Sequence, residues 1–136
     1  MLKALLSNPQ LSVLEQGINA SSLRHKVLSN NIANVNTPGF KKSEVVFEDL
    51  LQEELETTGL SLTRTSGNHL SGRVSQGAKP LINTINSTSF RTDGNNVDID
   101  VEMANLAKNN IYYNALVNQL SKHLNNIKSA INGGRS

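Results

Sequence analysis

Three histidines, His25, His69 and His123, are the side chains best suited to hold a metal or move a proton near neutral pH. They stand far apart, with no further ligand at metal-binding spacing beside any of them. The run Asp93-Gly94-Asn95-Asn96-Val97-Asp98-Ile99-Asp100 offers the oxygens of a calcium loop, yet its sixth place holds Asp98 instead of Gly and its twelfth holds Ala104 instead of a bidentate Glu. A tight turn feeding a helix N-cap accounts for it better. An acid pair for glycoside hydrolysis could be drawn from Glu44, Glu48, Asp49, Glu53, Glu54 and Glu56, but on a solvated helix face little would raise a carboxyl pKa. No Ser sits in a nucleophile elbow and no glycine cluster has phosphate-loop spacing. The basic triplet Arg24-His25-Lys26 lacks aromatic interleaving or a known nucleic-acid module, so it suits a solvated face or a contact with a neighbouring subunit's acidic block. The expectation is a protein that is not an enzyme, needs no cofactor or metal, and binds neither nucleic acid nor a small-molecule substrate.

The elements that position these residues must come from a modest core. The chain has 136 residues, 37% of them hydrophobic and 4% aromatic, which suits one domain without a large enzyme pocket. It has no cysteine, so packing alone must hold it together. Nineteen asparagines, many in otherwise helical stretches, weaken local helix preference because the amide competes for backbone hydrogen bonds. The apolar run near Met1 is too short for a secretory segment, and no later stretch reaches membrane-span length.

The first helix is expected from about position 9 to 33, with Asn8 as cap and Pro9 at the first helical position. Its apolar residues Leu11, Leu14, Ile18, Leu28, Ile32 and Val35 alternate three and four apart, a coiled-coil-like seam interrupted by Ser21 and His25. Asn34, Asn36, Thr37, Pro38, Gly39 and Phe40 then form a type II turn, with Pro presetting φ and Gly supplying the positive φ. A short amphipathic helix is expected from about Ser43 to Leu55, with Val46, Phe47, Leu50, Leu51 and Leu55 as its apolar stripe. Residues 57–96 are rich in Gly, Ser, Thr and Asn, and read as an irregular, β-hairpin-like segment in which Leu60–Arg64 and Ile82–Ile85 are candidate strands. The last helix starts at Asp98 or Asp100 and ends at Gly133-Gly134. Its seam runs through Met103, Leu106, Tyr113, Val117, Leu120, Leu124, Ile127 and Ile131. At about 48 Å it is too long for a compact domain of this size, so the first helix or another molecule must cover that seam.

The fold class expected is therefore mainly α: two long terminal helices in an antiparallel coiled-coil-like pair, a short amphipathic helix, and a small irregular or β middle. Residues 1–56 and 97–136 would form one discontinuous helical domain around the segment 57–96.

Two motifs carry a family resemblance. Ser29-Asn30-Asn31-Ile32-Ala33-Asn34-Val35-Asn36-Thr37-Pro38-Gly39-Phe40-Lys41 resembles the N-terminal signature of flagellar rod and hook proteins, with Phe where Tyr is commoner. The stretch from Asp93 to Met103, followed by Ala107-Lys108-Asn109-Asn110-Ile111-Tyr112-Tyr113-Asn114-Ala115-Leu116, is similar to the C-terminal region of the proximal-rod branch of that family. The resemblance implies a structural subunit of the bacterial flagellar basal body, in the part of the rod that spans the cell envelope. It implies passage through the flagellar type III apparatus without a cleaved signal. The partners implied are copies of itself, other rod proteins, the membrane ring or its adaptor, and the export gate. In rod and hook relatives a Phe followed by a Leu is read by that gate, and Phe47, Leu50 and Leu51 fit the pattern. Long seams with weak helix propensity further suggest terminal segments that fold fully on association. The other reading of the same seams is a cytoplasmic helical adaptor or export chaperone that binds partner helices.

Overall fold

A computed structural model describes residues 9–58, 79–87, 89 and 92–133, with the backbone alone for Pro9 and for residues 54–58. Among the described residues the elements in chain order are helix α1 (Pro9–Ala33), strand β1 (Ser43–Val46), helix α2 (Glu48–Thr58), strand β2 (Leu81–Thr84) and helix α3 (Ile99–Ile131). The architecture is mainly helical. The two long helices pack on each other, and a small two-stranded sheet lies between them in sequence.

Helix α1 begins at Pro9, where a residue without an N–H costs nothing; Asn8 lies outside the described residues. One face buries Gly17, Ser21, Leu28 and Asn31, and contacts from three of these fix the direction of α3. Gly17 lies against Leu116, Ser21 bonds Asn109, and Asn31 bonds Glu102, so numbers fall along α3 as they rise along α1. The pair is antiparallel. At Gly17 a Cβ would come within 3.2 Å of the Leu116 side chain, so the glycine gives up helix propensity for a close approach of the two helices. A second face of α1 packs Ala20, Leu23 and Val27 on Val45, Phe47, Leu50 and Leu51, and this cluster is the hydrophobic core.

The helix expected from Ser43 to Leu55 is two elements. Ser43–Val46 is a strand, and the helix starts only at Glu48 and continues to Thr58. The physical reason is period: Val45 is buried between an exposed Glu44 and a half-buried Val46, the alternation of a strand with one covered face. Phe47, 1% exposed, closes the corner, and its carbonyl accepts from the Leu51 N–H at 2.8 Å. Glu48 and Asp49 then occupy the first turn of α2, next to the positive end of its dipole. Of the expected apolar stripe, Val46 belongs to the strand, whereas Leu50 and Leu51 remain helical and touch the core.

β2 lies one residue N-terminal to the expected Ile82–Ile85, and its partner is β1, paired antiparallel from Ser43 opposite Thr84 to Val46 opposite Leu81. The other candidate strand, Leu60–Arg64, lies outside the described residues.

α3 starts on Asp98, whose Oδ1 accepts from the Asp100 and Val101 N–H groups at 3.0 and 3.3 Å. Asp100 itself lies inside the helix. At the far end Gly133 takes φ +66° after the Asn132 cap. With 33 residues, α3 is about 50 Å long.

Candidate assembly interface

The two sequence motifs, with 51 residues between Lys41 and Asp93, meet in space. The turn at Thr37-Pro38-Gly39-Phe40 closes with Phe40 N–H on the Thr37 carbonyl at 3.3 Å, and Gly39 has φ +71° as a type II turn requires. Its N–H then donates to the Asp93 carbonyl at 2.9 Å. Asn95, wholly buried, donates its amide N–H groups towards the carbonyls of Asn34, Val35 and Thr37 at 3.0, 3.1 and 2.9 Å. The Asn34 and Thr37 carbonyls also accept from the Thr37 and Phe40 N–H groups, so the amide is shared with the turn that follows α1. The Asn95 Oδ1 accepts from the Val97 N–H at 2.7 Å, holding the amide in place. Asn96, also wholly buried, accepts from the Lys42 N–H and donates to the Ile85 carbonyl, tying the loop to the sheet.

One step further in, Asn31 is the hub. Its Oδ1 accepts from the Ser43 N–H, and its Nδ2 donates to the Ser43 carbonyl and to Glu102 Oε2 at 2.8 and 2.9 Å. Glu102, 3% exposed, also faces Lys42 Nζ at 3.6 Å. A buried carboxylate thus has both an amide and a cation, the arrangement under which its desolvation is compensated. Asn34 donates back to the Asn30 carbonyl and accepts from the Thr37 hydroxyl. Asn36, Thr37, Pro38 and Gly39 form the exposed tip, with Phe40 half-buried behind them.

Along the helix pair the buried line contains polar residues. On α3 it passes through Glu102, Leu106, Asn109, Leu116, Leu120, His123 and Ile127. Ser21 Oγ donates to Asn109 Oδ1 at 3.0 Å, while Asn109 Nδ2 donates to the Ser21 carbonyl at 2.9 Å. Of the residues singled out from the apolar series, Leu106, Val117, Leu120 and Ile127 are half-buried, and Tyr113 is 38% exposed. Met103, Leu124 and Ile131 are 51, 47 and 61% exposed. On α1, Leu28 is buried, whereas Leu11, Leu14, Ile18 and Ile32 are half-buried. In both helices the stripe traced from apolar residues overlaps the buried line but is rotated from it, leaving apolar edges beside the contact.

Among the described residues the His, Asp and Glu side chains form no group that could hold a metal ion. Arg24 forms a bidentate contact with Glu48 and also donates to the Val45 carbonyl at 3.3 Å. Of the basic triplet, Arg24 thus meets one residue of the acidic stretch, Glu48, within its own chain. Hydrogen bonding from this guanidinium is the main reason the Glu48 carboxyl sits below its usual pKa, against a smaller upward push from burial. His25 is exposed and His123 half-buried on α3, and His69 lies outside the described residues.

A groove of about 1110 Å³ opens between α3 and the arm made by β1 and α2. Ile111, 72% exposed, lies on its wall with Tyr112, Ala104 and Ala115. Among the described residues no helix is long and apolar enough to cross a membrane.

The family model described as flagella basal body rod protein matches residues 11–41, which are α1 and the turn after it. The chain is similar to the flagellar basal body rod protein FlgB of Bacillus subtilis (strain 168), 34% identical over 122 residues that cover 90% of this chain and 92% of that one. FlgB of Borrelia hermsii is 38% identical over 116 residues, covering 81% and 86%. FlgB of Salmonella typhimurium is 30% identical over 126 residues, covering 88% and 91%. These matches reach well beyond the turn and include both ends of the motif junction.

Proposed function

Because the chain belongs to the FlgB family of flagellar basal body rod proteins, we propose that it is a proximal-rod subunit that joins copies of itself and other rod proteins through its terminal helices. The coarser part follows from the family: it is a structural rod subunit of the flagellar basal body. The observation that carries the finer part is the apolar edge of α3. Met103, Leu124 and Ile131 stay open to solvent in a single chain although the helix is already paired. Exposed apolar residues aligned on one helix mark a surface made to be covered.

In this reading residues 1–56 and 97–136 act as one axial body, and 57–96 as a separate middle segment tied to it by β2. The subunit passes through the type III apparatus without a cleaved signal before it folds. Phe47, at 1% exposure, is available to an export gate only before the core closes, and the same holds in part for the half-buried Leu50 and Leu51. The membrane ring or its adaptor is the neighbour at the start of the rod.

Cell fractionation of the parent chain and a Leu120→Asp variant tests this. Leu120 is half-buried along the helix pair, and a carboxylate there would have no partner. The parent should co-purify with basal bodies, and the variant should leave the cytoplasm yet be missing from them, with motility lost. A parent found only in the cytosol, as an adaptor or chaperone would be, overturns the reading, as does normal motility of the variant.

A further inference from the structure

Nineteen asparagines are spread along the chain, and Asn132 alone is followed by glycine. The pairing matters because asparagine is a thermolabile residue, and its conversion needs only its own side-chain amide, the next backbone nitrogen and water. Glycine leaves that nitrogen unshielded, having no Cβ to block the approach. The surroundings at the end of α3 are open as well. Asn132 and Gly133 are both exposed, and a Cβ at Gly133, which has φ +66°, would meet nothing within 4 Å. Asn132 caps the helix with φ −78° and ψ 9°, so the Gly133 nitrogen must swing about ψ to reach the Asn132 Cγ. What holds it is the bond from the Gly133 N–H to the Ala130 carbonyl at 3.3 Å, beyond the usual range for such a bond. The 3.0 Å bond from the Asn132 N–H to the Lys128 carbonyl lies on the other side of that rotation and is kept. Asn95 is the contrast: it is wholly buried, and its amide is committed to three carbonyls.

We infer that Asn132-Gly133 is a site of spontaneous deamidation, with water as the co-reactant. The Gly133 nitrogen loses its proton and bonds to the Asn132 Cγ. The bond from Cγ to Nδ2 breaks, and that nitrogen takes up a proton and leaves as ammonia. Water then opens the cyclic imide: addition at Cγ gives aspartate, and addition at the backbone carbonyl gives isoaspartate, whose main chain runs through Cβ and Cγ. Either product takes one from the formal net charge of +2 and puts a carboxylate at the negative end of the α3 dipole, where it is unfavourable. Lys128, four residues earlier, offsets part of this. Isoaspartate also lengthens the backbone before Gly133, so the last turn, with Ile131 61% exposed on it, loosens. The site itself does not depend on the rod-subunit reading. Its consequence falls on the end of the apolar edge of α3.

The test is ageing of the purified full-length chain in warm, mildly alkaline buffer, followed by trypsin digestion and mass spectrometry. Cleavage after Lys128 and Arg135 frees residues 129–135, in which Asn132 is the sole amide side chain, so a mass gain there assigns the site. The expected result is the growth of two products of equal mass in that peptide, aspartate and isoaspartate, with a matching acidic species of the whole chain on ion exchange. Conversion should quicken as pH rises, because the attacking nitrogen must lose its proton. Asn132→Gln and Gly133→Ala should each remove most of it, the first because the longer side chain closes a larger ring, the second because a methyl group hinders the nitrogen. A parallel sample unfolded in guanidinium gives the reactivity of the same dipeptide without the helix end. An unmodified peptide 129–135 from the folded chain overturns the inference, and conversion in guanidinium alone would show that the cap protects the site. A Gly133→Ala chain that ages as fast as the parent overturns it too, as do acidic species that map to other asparagines while 129–135 stays unchanged.

Discussion

The two ends of the α1–α3 pair are built on opposite principles. Where the end of α1 meets the start of α3, Asn31, Asn95, Asn96 and Glu102 are almost wholly buried, and every one of them has hydrogen-bond partners far away in sequence. Towards the far end of α3, Leu124 and Ile131 are about half exposed or more. A polar group buried without its partner is costly, so the first end tolerates only one arrangement of the chain. Apolar contacts are non-directional, so the second end can be completed by whatever surface covers it. The chain thus decides its own fold at one end and leaves its associations to the other.

The largest expected difference comes from removing one amide at each end. Asn95→Ala removes the donor shared by three carbonyls and the acceptor of the Val97 N–H, which should cost about 3 kcal/mol and lower Tm by on the order of 10 °C. Asn126→Ala, on the exposed distal half of α3, should stay within about 0.5 kcal/mol of the parent. Urea titration of both measures the contrast. Equal midpoints would mean that the junction does not hold the helices together.

The contrast also explains what could be read from sequence. The bounds of α1, the type II turn and the Asp98 cap depend on neighbours within a few residues, so Pro9, Pro38, Gly39 and Asp98 announce them locally. β1 reads as helix from its own residues because its partner Leu81–Thr84 lies far along the chain and nothing local reports the pairing. The rotation of the buried line has the same kind of cause. Periodicity follows apolar side chains, whereas Ser21, Asn31, Glu102 and Asn109 are buried because each finds a specific partner. The run Asp93 to Asp98 reads correctly as a turn before a cap, but the carbonyls that Asn95 satisfies belong to the other motif. Only the meeting of the two motifs reveals that role.

A smaller effect of opposite sign is expected midway, where Ser21 and Asn109 put a polar layer into the helix pair. A buried polar pair specifies register at a cost in stability. Ser21→Ala combined with Asn109→Leu should therefore raise the unfolding midpoint by about 1 kcal/mol while multiplying amide resonances, as helices slip between registers. A lower midpoint with a single set of resonances would instead make this layer part of the junction's stabilising network.

The smallest effect concerns the arm, which the Arg24–Glu48 pair ties to α1. Glu48 keeps 54% of its side-chain surface exposed, so solvent screening limits the pair to under about 1 kcal/mol. Its carboxyl is held below the ordinary value of 4.5, chiefly by the hydrogen bonds from Arg24. A depressed carboxyl pKa means that the unfolded chain takes up the proton first as pH falls. The stabilisation is therefore complete above the unfolded value, and is lost as pH drops through the folded one. Glu48→Gln should be slightly less stable than the parent at pH 7, and the gap should close as acid protonates the Glu48 carboxyl in the folded chain. Added salt should narrow it at neutral pH, since partly exposed charges are screened. A gap that persists unchanged into acid would assign the loss to packing of the arm, and would move α2 from the charge-tied elements to those held by Phe47 and the core alone.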